Sequence, residues 1–129
     1  MIRFEHVAFN VPDVHAAVKW YCDNLGFVVV RQQDVPPYMS FIADADKNMM
    51  FEFYTRDDVP KFDPSGLHDV TTHVALVTDD IEGVRARLIA AGATASGEIA
   101  LTPAGDKLAF LRDPHGVILQ LCQRGVRMI

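Results

Sequence analysis

Cysteine, tryptophan and clustered positive charge are all scarce in this chain. Two cysteines, Cys22 and Cys122, among 129 residues cannot build a disulfide framework. With no Cys-x-x-Cys they also fall short of a zinc-ribbon or zinc-finger pattern, and a reducing compartment suits both thiols. No apolar run approaches the ~18 residues needed to span a bilayer. The opening Met1-Ile2-Arg3-Phe4-Glu5 lacks the apolar core of a secretory signal. These absences predict a cytoplasmic protein with no membrane partner. Lys and Arg number 12 against 17 Asp and Glu, a net charge of -5. The cations are scattered rather than gathered into a stripe, so a nucleic-acid backbone is excluded as a partner. What remains is an ordinary globular composition, half hydrophobic and 22% charged, suited to a small neutral or anionic molecule.

The chain is built as two copies of one unit, and that repeat organises the rest of the reading. His6-Val7-Ala8-Phe9-Asn10-Val11-Pro12-Asp13-Val14 returns 67 residues later as His73-Val74-Ala75-Leu76-Val77-Thr78-Asp79-Asp80-Ile81. Both runs alternate apolar and β-branched residues and then pass an Asp into helical spacing, the signature of a strand turning into a helix. Val14, Ala17, Val18, Tyr21, Cys22 and Leu25 form one apolar stripe after the N-cap Asp13, and Gly26 stops it. In the second half Ile81, Val84, Leu88 and Ala91 carry the stripe. Asp79 with Glu82 resembles a capping box there, and Gly92 ends the helix.

Three strand-like stretches follow each helix: 27–33, 37–43 and 49–55, then 94–101, 105–111 and 117–123. Asp113-Pro114-His115-Gly116 is turn chemistry before the last of them. The segment 56–70 carries Pro60, Pro64 and Gly66 without a period and reads as a linker. The expected fold class is α+β, with two tandem βαβββ modules, 1–55 and 71–129, forming a curled mixed sheet around a cleft.

Strand side chains alternate between faces, so parity says which polar residues point away from the helices. In Met49-Met50-Phe51-Glu52-Phe53-Tyr54 the pair Phe51 and Phe53 belongs under the helix, which turns Glu52 and Tyr54 the other way. In Val117-Ile118-Leu119-Gln120-Leu121-Cys122 the same logic turns Gln120 and Cys122 away from Leu119 and Leu121. His6 and His73 are expected mid-strand, beside Ala8 and Ala75. Taken singly, such a His is ordinarily a hydrogen-bonded core residue and such a Glu a solvated one. The repeat changes this: Glu52 and Gln120 lie 68 residues apart, nearly the histidine offset. A pseudo-two-fold would bring His6, Glu52, His73 and Gln120 together as a first shell for a divalent cation, Zn, Ni, Fe or Mn.

Around that set, Tyr54 and Tyr38 could donate to a bound oxyanion or simply pack. Arg56 lies past the strand end, where it could clamp an anionic substrate, and Cys122 could bring a thiol near the metal.

Paired βαβββ units with His6 and His73 on the opening strands, Glu52 on a fourth strand and the Asp113-Pro114-His115-Gly116 turn resemble the vicinal oxygen chelate superfamily. It gathers glyoxalase I, bleomycin-resistance proteins, methylmalonyl-CoA epimerase and extradiol dioxygenases. The similarity covers nearly the whole chain as one such domain. The resemblance implies a divalent metal held at His6, Glu52, His73 and Gln120, a small substrate chelated through adjacent oxygens, and a homodimer. It implies a lyase or isomerase in which Glu52 moves a proton through an enediolate-like oxyanion. Glyoxalase I carries a carboxylate where this chain has Gln120, and an Arg where it has Asn10. An amide cannot take a proton at neutral pH. An Fe(II) ring-cleavage dioxygenase, using His6, His73 and Glu52, and a non-catalytic drug-sequestering protein are the alternatives.

Overall fold

The computed structural model describes all residues, 1–129. The chain divides into two compact units, Met1–Phe62 and Asp63–Ile129. The first runs β1 (His6–Asn10), α1 (Val14–Leu25), β2 (Val28–Gln32), β3 (Ser40–Ala43) and β4 (Met50–Tyr54). The second runs β5 (Val74–Val77), α2 (Ile81–Ala90), β6 (Thr94–Leu101), β7 (Lys107–Arg112) and β8 (Ile118–Gln123). Each unit is βαβββ with one four-stranded mixed sheet, ordered β1-β4-β3-β2 and β5-β8-β7-β6. The opening strand lies parallel to the last, and the other pairs are antiparallel. The fold is α+β.

Local chemistry explains the helices. The Asp13 carboxylate accepts from the Ala16 amide at 3.0 Å, and Gly26 closes α1 in the left-handed region at φ 68°. The α1 stripe buries Val14, Ala17, Val18 and Tyr21, with Trp20 added. Phe51 and Phe53 lie beneath it, their rings 5.3 and 5.4 Å from that of Tyr21. Such aromatic pairs contribute about 0.5–1.5 kcal/mol each beyond the area they bury.

The second unit differs in detail. Its cap is Asp80, not Asp79: the Asp80 carboxylate accepts from the Gly83 amide at 2.9 Å, while Thr78 Oγ1 accepts from the Asp80 amide. Glu82 therefore makes no capping box; its carboxylate turns to Lys107 Nζ at 2.6 Å. The helix ends at Ala90, with Gly92 at φ 99° just beyond and the Ala93 amide donating to the Leu88 carbonyl. Ile81 and Leu88 are its buried residues, resting on a core of Leu111, Leu119, Leu121 and Val117.

Neither histidine is mid-strand. His6 is the first residue of β1, and His73 precedes β5. The β1 ladder begins at His6–Met50, the first residue of β4, and the β5 ladder at Val74–Leu119, one residue into β8. Two strands are also shorter than their sequence pattern. A turn in which the Tyr38 amide donates to the Val35 carbonyl, with Tyr38 at φ 59°, delays β3 to Ser40. The Thr102–Asp106 turn delays β7 to Lys107.

The segment between the modules is held from both sides. Asn10, buried at the end of β1, donates through Nδ2 to the carbonyls of Arg56 (3.0 Å), Val59 (3.2 Å) and Pro60 (3.0 Å) and accepts from the Arg56 amide at 2.8 Å. Arg112 performs the matching task for Pro64, Leu67 and Asp69. The unit boundary falls between these two groups.

Candidate functional site

In the first unit the register sets one cross-strand row. Ala8 is opposite Glu52, Glu52 opposite Phe41, and Phe41 opposite Arg31. Residues directly opposed across strands share a face, and Phe51 and Phe53 occupy the other one under α1. Glu52 is thereby held away from the helix, its side chain 13% exposed. His6 Nε2 lies 3.4 Å from Glu52 Oε2, and His6 Nδ1 lies 3.1 Å from Glu5 Oε2. The imidazole stands edge-on to Phe41, centroids 5.5 Å apart and planes at 81°.

The second unit repeats this arrangement. Ala75 is opposite Gln120, Gln120 opposite Phe110, and Phe110 opposite Ser96. The His73 ring stands edge-on to Phe110, 5.1 Å away and at 79°. Its Nδ1 lies 2.9 Å from the Asp69 carbonyl oxygen. Gln120 Oε1 accepts from the Cys122 thiol at 3.3 Å. Burial pushes the Cys122 thiol up from its ordinary pKa, so at neutral pH it is a packed, neutral thiol rather than a thiolate. Ile118 is buried on that face as well, which leaves Gln120 as its half-buried polar member.

Both imidazoles therefore engage Nδ1 with an oxygen acceptor. An Nδ1–H donated to such an acceptor leaves Nε2 with its lone pair, the tautomer a metal ligand requires. Two ligands each ~2.1 Å from one cation at a tetrahedral angle are about 3.4 Å apart, the spacing of His6 and Glu52. No three His, Cys, Asp or Glu side chains are grouped so that they could hold a metal ion by themselves. The first unit brings His6 and Glu52 together; in the second, His73 and Gln120 both neighbour Phe110, the one by ring contact and the other by register.

The surrounding residues fall in several places. Tyr54, at the end of β4 opposite Asn10, is half-buried. Tyr38 packs its ring 5.0 Å from that of His15 on α1. The Arg56 guanidinium pairs with Asp58, which raises its pKa above the ordinary value. Four contributors escaped the sequence reading: Phe110, Arg31, Asp69 and Arg112. Phe110 and Arg31 could have been found by extending the parity argument sideways to the neighbouring strands. Asp69 and Arg112 carry no local signal.

The family model described as the Glyoxalase/Bleomycin resistance protein/Dioxygenase superfamily matches residues 3–121. The chain belongs to this superfamily. Among superfamily relatives, a putative lactoylglutathione lyase of Brassica oleracea var. gemmifera is 26% identical over 134 residues, covering 95% of this chain but 45% of its own. The chain thus spans about half the length of that plant relative. A probable lactoylglutathione lyase of Vibrio parahaemolyticus is 24% identical, covering 94% of this chain and 90% of its own. Among solved structures, a glyoxalase family protein from Bacillus cereus superposes with a TM-score of 0.80 at 17% identity, covering 95% of this chain and 94% of its own. The antibiotic binding protein TnmS3 from Streptomyces reaches 0.74 at 20% identity, covering 97% and 98%. These two likenesses establish the fold. No helix of the chain is long and apolar enough to cross a membrane.

Proposed function

We propose that this chain binds a divalent cation through His6, Glu52, His73 and Gln120 and acts as a lyase or isomerase on a small molecule with two neighbouring oxygens. The observation that carries this reading is the matched second contact of the two imidazoles. His6 Nδ1 meets Glu5 at 3.1 Å and His73 Nδ1 meets the Asp69 carbonyl at 2.9 Å, so that a proton held on Nδ1 leaves the Nε2 lone pair for a cation. The lactoylglutathione lyases among the relatives support the reaction class.

When bound, the cation supplies a Lewis acid for the adjacent substrate oxygens. The remaining work belongs to the protein. Glu52 is the one carboxylate of the four and takes a proton at Oε from the carbon beside those oxygens. Gln120 holds no proton-accepting group, so the proton leaves and returns through the same carboxylate, on one face of the substrate. Phe41 and Phe110, beside the two imidazoles, give the reacting carbons an apolar border. Arg31, an exposed cation at the end of the Glu52 row, suits an anionic tail on the substrate.

Two imidazoles and one carboxylate also match the donor set of a non-haem Fe(II) oxygenase, which supports ring cleavage as the second reading. The same proposal takes the protein as a cytoplasmic homodimer, tested by sedimentation. Elemental analysis of the untagged protein as purified is the deciding experiment. Stoichiometric Zn, Ni or Mn with proton exchange on a 2-hydroxycarbonyl substrate supports the lyase or isomerase, and stoichiometric Fe supports the dioxygenase. A metal-free protein that takes up no cation on titration overturns both and leaves a sequestering protein.

A further inference from the structure

We propose that Arg112 is a positioning residue for His73, acting through Asp69, and so tunes the affinity of the chain for a divalent cation; this rests on the metal reading above. Arg112 ends β7 and spreads its guanidinium over three oxygens: the Pro64 carbonyl at 2.7 Å, the Leu67 carbonyl at 2.6 Å and Asp69 Oδ1 at 2.8 Å. No strand ladder supports the stretch from Asp63 to His73; local turns shape it, with the Leu67 amide donating to the Pro64 carbonyl and the Thr71 amide to the His68 carbonyl, and the fork ties those turns to β7. The side chains of Arg112 and Asp69 are 26% and 15% exposed, which shields the pair from solvent competition.

Asp69 is held at both ends. Its carboxylate is gripped by Arg112, and its carbonyl oxygen meets His73 Nδ1 at 2.9 Å. A carbonyl fixed in place selects the Nδ1–H tautomer and fixes the ring plane, and partners of this kind commonly change metal affinity 10–100-fold when lost. Phe110 borders the ring on another side, so a shift of the Asp69 carbonyl alters tautomer and tilt before it alters position.

The first unit has no such device. With Phe41 equivalent to Phe110, Ala43 stands where Arg112 does. His6 is met instead by the Glu5 side chain, 71% exposed. The two halves therefore differ in how firmly they hold their imidazoles, and the arginine fork accounts for the firmer one.

The test compares wild type with Arg112→Met and Arg112→Lys. Zn2+ affinity is measured by calorimetry against a competing chelator, and the imidazole nitrogens are read by long-range 1H–15N spectra of the metal-free proteins. The expected result is a 10–100-fold weaker Kd for Arg112→Met and a His73 spectrum that moves from one tautomer to a mixture. The His6 signals should stay in place, and Arg112→Lys should recover part of both effects. Should Arg112→Met fail to fold, Arg112→Lys carries the comparison. Unchanged affinity and an unchanged His73 spectrum in a folded variant overturn the proposal. If wild type itself takes up no Zn2+, the metal reading fails, and the affinity claim with it; the His73 spectrum then still shows whether Arg112 governs the ring.

Discussion

His6 Nε2 and Glu52 Oε2 approach to 3.4 Å across the parallel pair of β1 and β4, with the imidazole edge-on to Phe41. This spacing serves a protonated imidazole beside a carboxylate equally as it serves two ligands of one cation. A bound cation would make the difference measurable, because it requires the neutral imidazole. Glu52→Gln should preserve the hydrogen-bonding outline while removing one negative charge. The expected outcome is a weaker Zn2+ affinity, because a neutral amide oxygen replaces a carboxylate ligand, with an unchanged circular dichroism spectrum. Equal affinity in calorimetry would remove Glu52 from the shell.

His73→Ala should abolish stoichiometric metal while leaving a folded protein. His73 is a half-buried residue ahead of β5, and the core of its unit, which includes Leu111, Leu119, Leu121 and Ile81, is built without it. Metal content and a thermal melt on the same sample separate the two effects. Stoichiometric metal retained in a folded variant would overturn the assignment of His73.

Gln120→Glu should tighten metal binding by at least tenfold, about 1.4 kcal/mol, because a carboxylate replaces a neutral amide oxygen. The new side chain keeps its place opposite Ala75 and Phe110, and the neighbouring Cys122 thiol can donate to it as it does to Gln120. The substitution also adds a second proton acceptor. Titration with unchanged affinity would place Gln120 outside the cation's reach.

The modules, both helices and the burial of Phe51 and Phe53 were legible because each depends on local period or on a repeat. Asp13 and Gly26 bound α1 by contacts within five residues. The choice between Asp79 and Asp80 was not legible. Adjacent aspartates offer the same cap, and the recruitment of Glu82 by Lys107, 25 residues away, removes the capping box. The strand start at His6 is likewise set by where β4 begins. Asn10 and Arg112 were opaque for a further reason. Each uses a side chain to satisfy backbone carbonyls more than 40 residues distant, and carbonyls carry no sequence identity.

Asn10→Ala should destabilise the first unit by about 2 kcal/mol, since it strips a buried partner from the Arg56 amide and from three carbonyls. The loss should appear as a lower urea midpoint and as faster proteolysis between Arg56 and Phe62. A midpoint unchanged from wild type would mean that solvent satisfies these groups as well as Asn10 does.

Asp106 gives the chain an acid-sensitive joint at its C-terminal end. Its carboxylate accepts from the Gly125 amide at 2.9 Å and from Arg124 Nη1 at 2.9 Å, tying the residues after β8 to the turn before β7. The Gly125 amide first, and then Arg124, hold its pKa below the ordinary aspartate value. In the unfolded chain the group returns to about 3.9. The folded state therefore binds the proton less readily, and the contribution to stability is complete above the unfolded value. It falls away as pH drops from there through the lower folded value. Asp106→Asn should consequently melt below wild type at pH 7, and the two melting temperatures should converge as pH descends past the ordinary aspartate range. Parallel curves down to pH 2.5 would show that the joint is indifferent to the charge of Asp106, leaving its hydrogen-bonding shape as the whole effect.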